Sequence, residues 1–217
     1  MRRLGLFAKR PVAGAVKTRL SPALPAALAR DLYAALLDDA LSAARVARVD
    51  ERSVWWDAPV DQAVTPGFEA RLQHGADLGA RLANAFARLT ENGARAAIVG
   101  TDAPALGAPA IERAFDALDT HDAAFAPSSD GGYALVALAR PEPALFEGIA
   151  WSTPSVFEAT LAIAARRGLR VARLEPLDDL DVPRDLVRWA ARVAIEARGI
   201  GPATAAALRA MGLAPPV

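Results

Sequence analysis

Short apolar runs alternate along the chain with longer stretches whose apolar residues recur at helical spacing. The runs Leu4–Ala8, Ser53–Asp57, Ala96–Gly100, Asp122–Ala126, Tyr133–Leu138 and Leu169–Leu174 read as strands, because short β-favouring runs bounded by turn formers fit buried strands. Between and after them, Pro25–Arg48, Asp77–Leu89, Ala108–Leu118, Pro154–Arg167, Pro183–Arg198 and Pro202–Met211 read as helices. In the first helix Leu28, Leu32, Leu36 and Ala40 recur every four residues, and in the second Leu78, Leu82, Ala85 and Leu89 form one stripe. Such stripes predict faces turned to a core. Thr153 stands where it would cap the helix beginning at Pro154, since a side-chain oxygen there can accept the free N–H groups of the first turn. Alternating strands and helices predict βαβ units and a mostly parallel sheet. No internal repeat or low-complexity linker divides the chain, so one domain over residues 1–217 is expected, with 187–217 as a helical extension.

Composition narrows the chemistry. Hydrophobic residues make up 53% of 217, enough for a substantial core, and acidic and basic residues balance at 25 each. A balanced chain has no global field to draw nucleic acid or anionic lipid. Cysteine is absent, which removes disulfides, thiolate zinc sites and Cys nucleophiles together. The apolar stretch after Arg2 and Arg3 is too short for a signal-peptide core, and no run is long enough to span a bilayer. A cytoplasmic protein is expected, and nothing in the chain speaks to oligomeric state. His74 and His121 lie far apart in sequence, without metal-type spacing. Neither GxSxG, G-x-x-x-x-G-K-[ST] nor GxGxxG occurs, so the corresponding nucleophile elbow and phosphate loops are not indicated.

The basic residues are unevenly spelled. Arginine appears 23 times and lysine twice, and both lysines, Lys9 and Lys17, fall in the segment Ala8–Leu20 after the first strand. Lys9, Arg10, Lys17 and Arg19 share that loop with Pro11 and Gly14, and no acid interrupts them. A mixture of point charge and planar fork on a turn suits a polyphosphate, although a solvated face would read the same way. The next strand end carries Gly100-Thr101-Asp102-Ala103-Pro104. In an open parallel sheet such strand ends share one crevice, though an Asp after a strand also serves as a helix cap.

Two further acidic motifs follow. Ser128-Ser129-Asp130-Gly131-Gly132-Tyr133 either lets backbone approach a ligand or makes a hairpin turn, and both can hold at once. In Asp178-Asp179-Leu180-Asp181, positions 179 and 181 fall on one side of an extended segment. Asp181 is placed either to cap the helix at Pro183 or to supply a second hard oxygen facing Asp102. Trp151 precedes a helix and reads as core, lid or acceptor wall.

These motifs, in order, are F-A-K-x-P-x-x-G-x-V-K-T-R-L, G-T-D-x-P-x-L, D-G-G-Y-x-L, W-S-T and D-x-D-x-x-x-D-L. The series resembles a bacterial family of glycosyltransferases with the GT-A (nucleotide-diphospho-sugar transferase) fold, some described as arsenosugar-biosynthesis enzymes. More distantly it is similar to guanylyltransferases of molybdenum-cofactor and deazaflavin-cofactor synthesis. The resemblance runs from about Leu4 to Leu186 and implies a Rossmann-like, three-layer α/β/α architecture on a mixed, mostly parallel sheet. It also implies that Lys9, Arg10, Gly14, Lys17, Arg19 and Thr101 meet the nucleotide and its phosphates. Asp102 and Asp181 would hold Mg²⁺ or Mn²⁺, and Asp130, Gly131, Gly132, Tyr133 and Trp151 would face the sugar or acceptor. Val182 departs from the family's usual Thr, and Ser129 from its common acid.

Two reactions use these parts. In one, a small-molecule acceptor attacks the sugar of a nucleotide-diphospho-sugar, with Lys17, Asp102 and Asp130 at the chemistry. In the other, a phosphorylated acceptor attacks a nucleoside triphosphate and releases pyrophosphate. A third reading rests on Gly199–Leu208, which imitates a DNA-backbone hairpin. With only Arg198 and Arg209 nearby it carries little charge for phosphates, and Pro202 opening an ordinary helix explains the same letters. No nucleic-acid partner is expected.

Overall fold

The computed structural model describes residues 1–60, 65–195 and 199–215. In chain order the main elements are β1 Arg2–Ala8, α1 Ala26–Val46, β2 Glu51–Trp56, β3 Glu69–Leu72, α2 Leu78–Leu89, β4 Arg95–Gly100 and α3 Ala108–Ala117. Then come β5 Ala123–Pro127, β6 Tyr133–Leu138, α4 Val156–Arg166, β7 Val171–Arg173, α5 Pro183–Ile195 and α6 Pro202–Ala210. One seven-stranded sheet has the order β3-β2-β1-β4-β6-β5-β7. Pairings are parallel except those of β6, which runs antiparallel to β4 and β5.

Three layers follow from two-faced strands. Along β1, Leu4, Leu6 and Ala8 join the core under α1 and α3, while Gly5 faces Trp55 and Leu89 on the other side. That second core lies under α2 and α4 and contains Leu82, Phe86, Ile98, Phe125 and Phe157. A third apolar cluster lies against α1. There Leu32 and Leu36 meet Trp189 and Val193 of α5 and Leu208 of α6.

The α/β architecture agrees with the sequence reading, with particular corrections. Strand β3 was not expected; its residues Glu69–Leu72 are half-buried or exposed, so no apolar run announces this edge strand. The last strand is only Val171–Arg173, not Leu169–Leu174. Leu28 does not share the buried stripe of Leu32 and Leu36, being 37% exposed, because a strict four-residue repeat drifts around a helix of 3.6 residues per turn. Helix α4 begins at Val156, and the Thr153 hydroxyl donates to the Ala150 carbonyl instead of capping it. Arg198, the expected end of the penultimate helix, lies outside the described residues.

Candidate active-site cleft

From β1 the sheet is built outward through β2 and β3, and from β4 outward through β6, β5 and β7. Connections leave the neighbours β1 and β4 in opposite directions, which opens a crevice at their carboxyl ends. A cleft of about 750 Å³ lies there.

Lys17 is the centre of it. Val16 and Leu20 are buried on either side of it in sequence, and Lys17 itself takes a left-handed conformation with φ 52° before the short helical turn Thr18–Leu20. That backbone is uncommon for a residue with a Cβ, and it turns the side chain inward. The ammonium reaches to 2.6 Å from Asp102 Oδ1 and 3.6 Å from Asp181 Oδ1, with its side chain 2% exposed. The ammonium is thus buried and paired with carboxylates from two separate loops. Arg19 Nη1 donates to Asp181 Oδ2 at 2.7 Å.

Two aspartates distant in sequence thus converge on one cation. Backbone causes this: Leu180 N donates to the Asp102 carbonyl at 2.8 Å, docking the acidic segment against the loop after β4. Asp185 Oδ2, not Asp181, accepts the N–H groups of Asp181 and Val182 at the start of α5. Asp181 is therefore free to face the cleft.

A buried phenol ties the two strand ends together. Tyr33 of α1 accepts the backbone N–H of Lys9 at 2.7 Å and lies 3.0 Å from Thr101 Oγ1. Burial pushes its phenol up to about 12, so the hydroxyl stays neutral. Nearby, Asp57 Oδ1 accepts the N–H of Arg10 at 3.0 Å.

The far half of the cleft is built on the β5–β6 hairpin. Asp130 Oδ1 accepts from Gly132 N at 2.9 Å and from the Ser128 hydroxyl, so the Asp-Gly-Gly turn is hairpin and cleft wall together. Gly131 has φ 90° and lies against the Pro154 backbone, while its carbonyl accepts from Phe157 N. Tyr133 packs edge-on to Trp151 with centroids 6.4 Å apart. Burial pushes its phenol well up. Asp179 enters the same half. Burial first, and then the neighbouring Asp130, push its carboxyl up to about 6.

Lys9, Lys17, Arg19, Thr101, Asp102, Asp130, Gly132, Tyr133, Trp151 and Asp181 all line this one cleft. Arg10, Gly14 and Gly131 do not. Arg10 is exposed outside it, Gly14 supplies a positive-φ turn (80°) in open space, and Gly131 sits behind the wall against Pro154. The cleft also contains Asp179, already noted in the acidic motif, and Tyr33, Asp57, Gln73 and Arg81, which were not singled out from sequence. Asp179 had a signal in its shared side with Asp181; Gln73 follows the unannounced β3. Helix α1 hid Tyr33 among core positions.

No curated protein matches the sequence. A structure from Desulfovibrio desulfuricans G20, provisionally described as a nucleotide-diphospho-sugar transferase, is 28% identical with a TM-score of 0.87. The match covers 98% of this chain and 96% of that one. A CMP:2-keto-3-deoxy-manno-octonic acid synthetase complexed with CTP is 15% identical, TM-score 0.55, over 90% of this chain and 99% of that one. A Mycobacterium tuberculosis H37Rv protein in complex with manganese is 19% identical, TM-score 0.50, over 87% and 97%. The last two share the fold alone. The family described as "Uncharacterized protein conserved in bacteria (DUF2064)" matches residues 24–153, and with that stretch enclosing β1's neighbours, Asp102 and the Asp-Gly-Gly hairpin, the chain belongs to this bacterial family.

Proposed function

We propose that the protein is a divalent-metal-dependent transferase using a nucleotide-diphospho-sugar as donor. The observation that carries this is the convergence of Asp102 and Asp181 on the buried Lys17 ammonium at the strand switch point. A site where two carboxylates already surround a positive charge suits a cation. Mg²⁺ and Mn²⁺ are held by one or two carboxylates with substrate phosphates and water, and Asp102 and Asp181 are the carboxylates that would hold such an ion here. When bound, the ion supplies Lewis-acid stabilisation of the departing diphosphate.

The chain's own residues do the rest. Lys9, Lys17 and Arg19 present positive charge to the diphosphate, Lys17 from a desolvated position where its charge acts at greatest strength. Tyr33 holds the N–H of Lys9 and the hydroxyl of Thr101 in fixed relation. Asp130, on the hairpin opposite, faces the acceptor and receives its proton.

A second reading is transfer of a nucleoside monophosphate from a triphosphate to a phosphorylated acceptor. The cation-rich loop leaving β1 and the fold shared with a CTP-bound synthetase support it. Titration with sugar nucleotides and triphosphates, each with and without Mn²⁺, tests the first reading. Ion-dependent binding of a nucleotide-diphospho-sugar is expected, and Asp102→Ala abolishes it. Release of pyrophosphate from a triphosphate in the presence of phosphorylated acceptors would replace the first reading with the second.

A further inference from the structure

The two aspartates that would hold the ion are already paired with cations, and this bears on when an ion can join them. Lys17 Nζ lies 2.6 Å from Asp102 Oδ1 and 3.6 Å from Asp181 Oδ1. The other oxygen of Asp181 accepts from Arg19 Nη1 at 2.7 Å, so each of its oxygens faces a cation. Carboxylate oxygens hold Mg²⁺ at about 2.1 Å. An ion on Asp102 Oδ1 would therefore stand within about 5 Å of the Lys17 ammonium. Like charges that close repel strongly where water is excluded.

The two cations differ in their freedom to move aside. The Arg19 side chain is 67% exposed and can swing into solvent, whereas that of Lys17 is 2% exposed. The Lys17 backbone is set between buried Val16 and Leu20, yet its four-carbon stem lets the ammonium turn about its own bonds. The aspartates are fixed from behind. Leu180 N donates to the Asp102 carbonyl at 2.8 Å, and Asp185 Oδ2 accepts the N–H of Asp181 at 3.0 Å. Turning Lys17 away from Asp102 breaks a charge pair inside the protein, which is costly unless another anion takes its place. A diphosphate in the cleft that Lys17, Asp102 and Asp181 all line supplies that anion, because its oxygens accept from an ammonium as a carboxylate does.

We propose that the Lys17 ammonium and a divalent ion exclude each other at Asp102 and Asp181, so that Lys17 admits the ion only when a diphosphate draws it away. The proposal rests on the metal-dependent donor reading above and deepens it by assigning an order of binding. Lys17 then has two positions. Without nucleotide it neutralises the two aspartates and keeps a bare ion out. With nucleotide it pairs with phosphate oxygens and releases the aspartates. Ion and diphosphate each raise the affinity for the other through this one side chain, as well as through their own contact. When the nucleoside diphosphate departs, Lys17 returns to Asp102 and the ion loses its place.

Two measurements on the full chain test this. In the first, Mn²⁺ binding without nucleotide is read from the free-ion signal in electron paramagnetic resonance. Lys17→Met is expected to bind Mn²⁺ at least about tenfold tighter than the parent, a coupling in the usual range for linked sites. Lys9→Met removes the same charge from an exposed position of the same loop, where salt screens it, and is expected to change the affinity less than about threefold. The second measurement needs no change at Lys17. The chain has two lysines, so selective ¹³Cε labelling of lysine gives two sets of signals, assigned with Lys9→Met. Mg²⁺ alone is expected to leave the Lys17 signals in place, and Mg²⁺ with UDP, GDP, CDP or ADP to move them for whichever nucleotide binds. No tightening in Lys17→Met, equal tightening in both variants, displacement of Lys17 by Mg²⁺ alone, or a bound Mg²⁺–nucleotide that leaves Lys17 unmoved would each overturn the proposal and leave the donor reading standing. Failure of all four nucleotides to bind with either ion would overturn the donor reading, and this proposal with it.

Discussion

The Asp39 carboxylate of α1 accepts the backbone N–H groups of Ala203 and Thr204 at 2.9 and 2.7 Å, capping α6 from a distant helix. The hairpin-like letters Gly199–Leu208 therefore serve an internal anion: the first N–H groups of α6 are taken, and the carboxylate occupies the space a Cβ on Gly201 would need. Gly201 N in turn donates to the Pro104 carbonyl at 2.8 Å, just beyond Asp102. Replacing Asp39 by Ala strands buried donors at a helix N-terminus, where an anion is favoured. A loss of about 2–3 kcal/mol is expected from hydrogen bonds to a charged group, measured as a lowered urea midpoint at unchanged slope.

Tyr33→Phe keeps the packing of the ring and removes the hydroxyl between Lys9 N and Thr101 Oγ1. The predicted cost is about 1–2 kcal/mol, that of leaving buried polar partners unmatched. Because those partners belong to the two strand ends of the cleft, nucleotide affinity should fall several-fold as well. Denaturant titration and calorimetry on the same sample read both effects. A stability loss with unaltered nucleotide binding would assign Tyr33 to the core alone.

Gly131→Ala is expected to be severe for a single methyl. The position has φ 90°, and the added carbon would collide with the Pro154 carbonyl. Strain of this kind costs about 1–3 kcal/mol before any clash is relieved. A drop in thermal midpoint larger than that of Gly148→Ala, which also has positive φ but open space around it, would separate collision from backbone strain.

Asp179 makes stability depend on pH. Its folded carboxyl is pushed up to about 6, mainly by burial and then by Asp130, against about 3.9 in an unfolded chain. The folded state thus binds the proton more tightly. Its stabilising contribution is fully present below about pH 4 and is lost as pH rises through about 6. Asp179→Asn should be more stable than the parent at pH 7–8, and the difference should vanish near pH 4. Urea midpoints across that range without added metal check the sign.

Particular residues show how far the chain could be read in advance. The apolar runs of β1, β2 and β4 are buried on both faces, as parallel strands under helices must be, and so they stand out. Strand β3 is an edge piece with few apolar positions, and Gln73, the residue after it, went unseen with it. Leu78 belonged to the stripe of α2 by spacing, yet it faces the cleft instead of the core. Spacing places a residue on a helix face but not that face against a neighbour.

What the linear chain determined by itself was local: alternation of strand and helix, clustering of cations after the first strand, and carboxylates at later strand ends. Those follow from periodicity and from short-range turn chemistry. Only the tertiary structure decided that Lys17 would point inward between Asp102 and Asp181, that Asp185 would cap α5 and leave Asp181 free, and that Tyr33 would join two loops. These relations span from a few to more than 160 residues. They arise where the strand order reverses and where packing sets the direction of each side chain, and neither is written in any single segment.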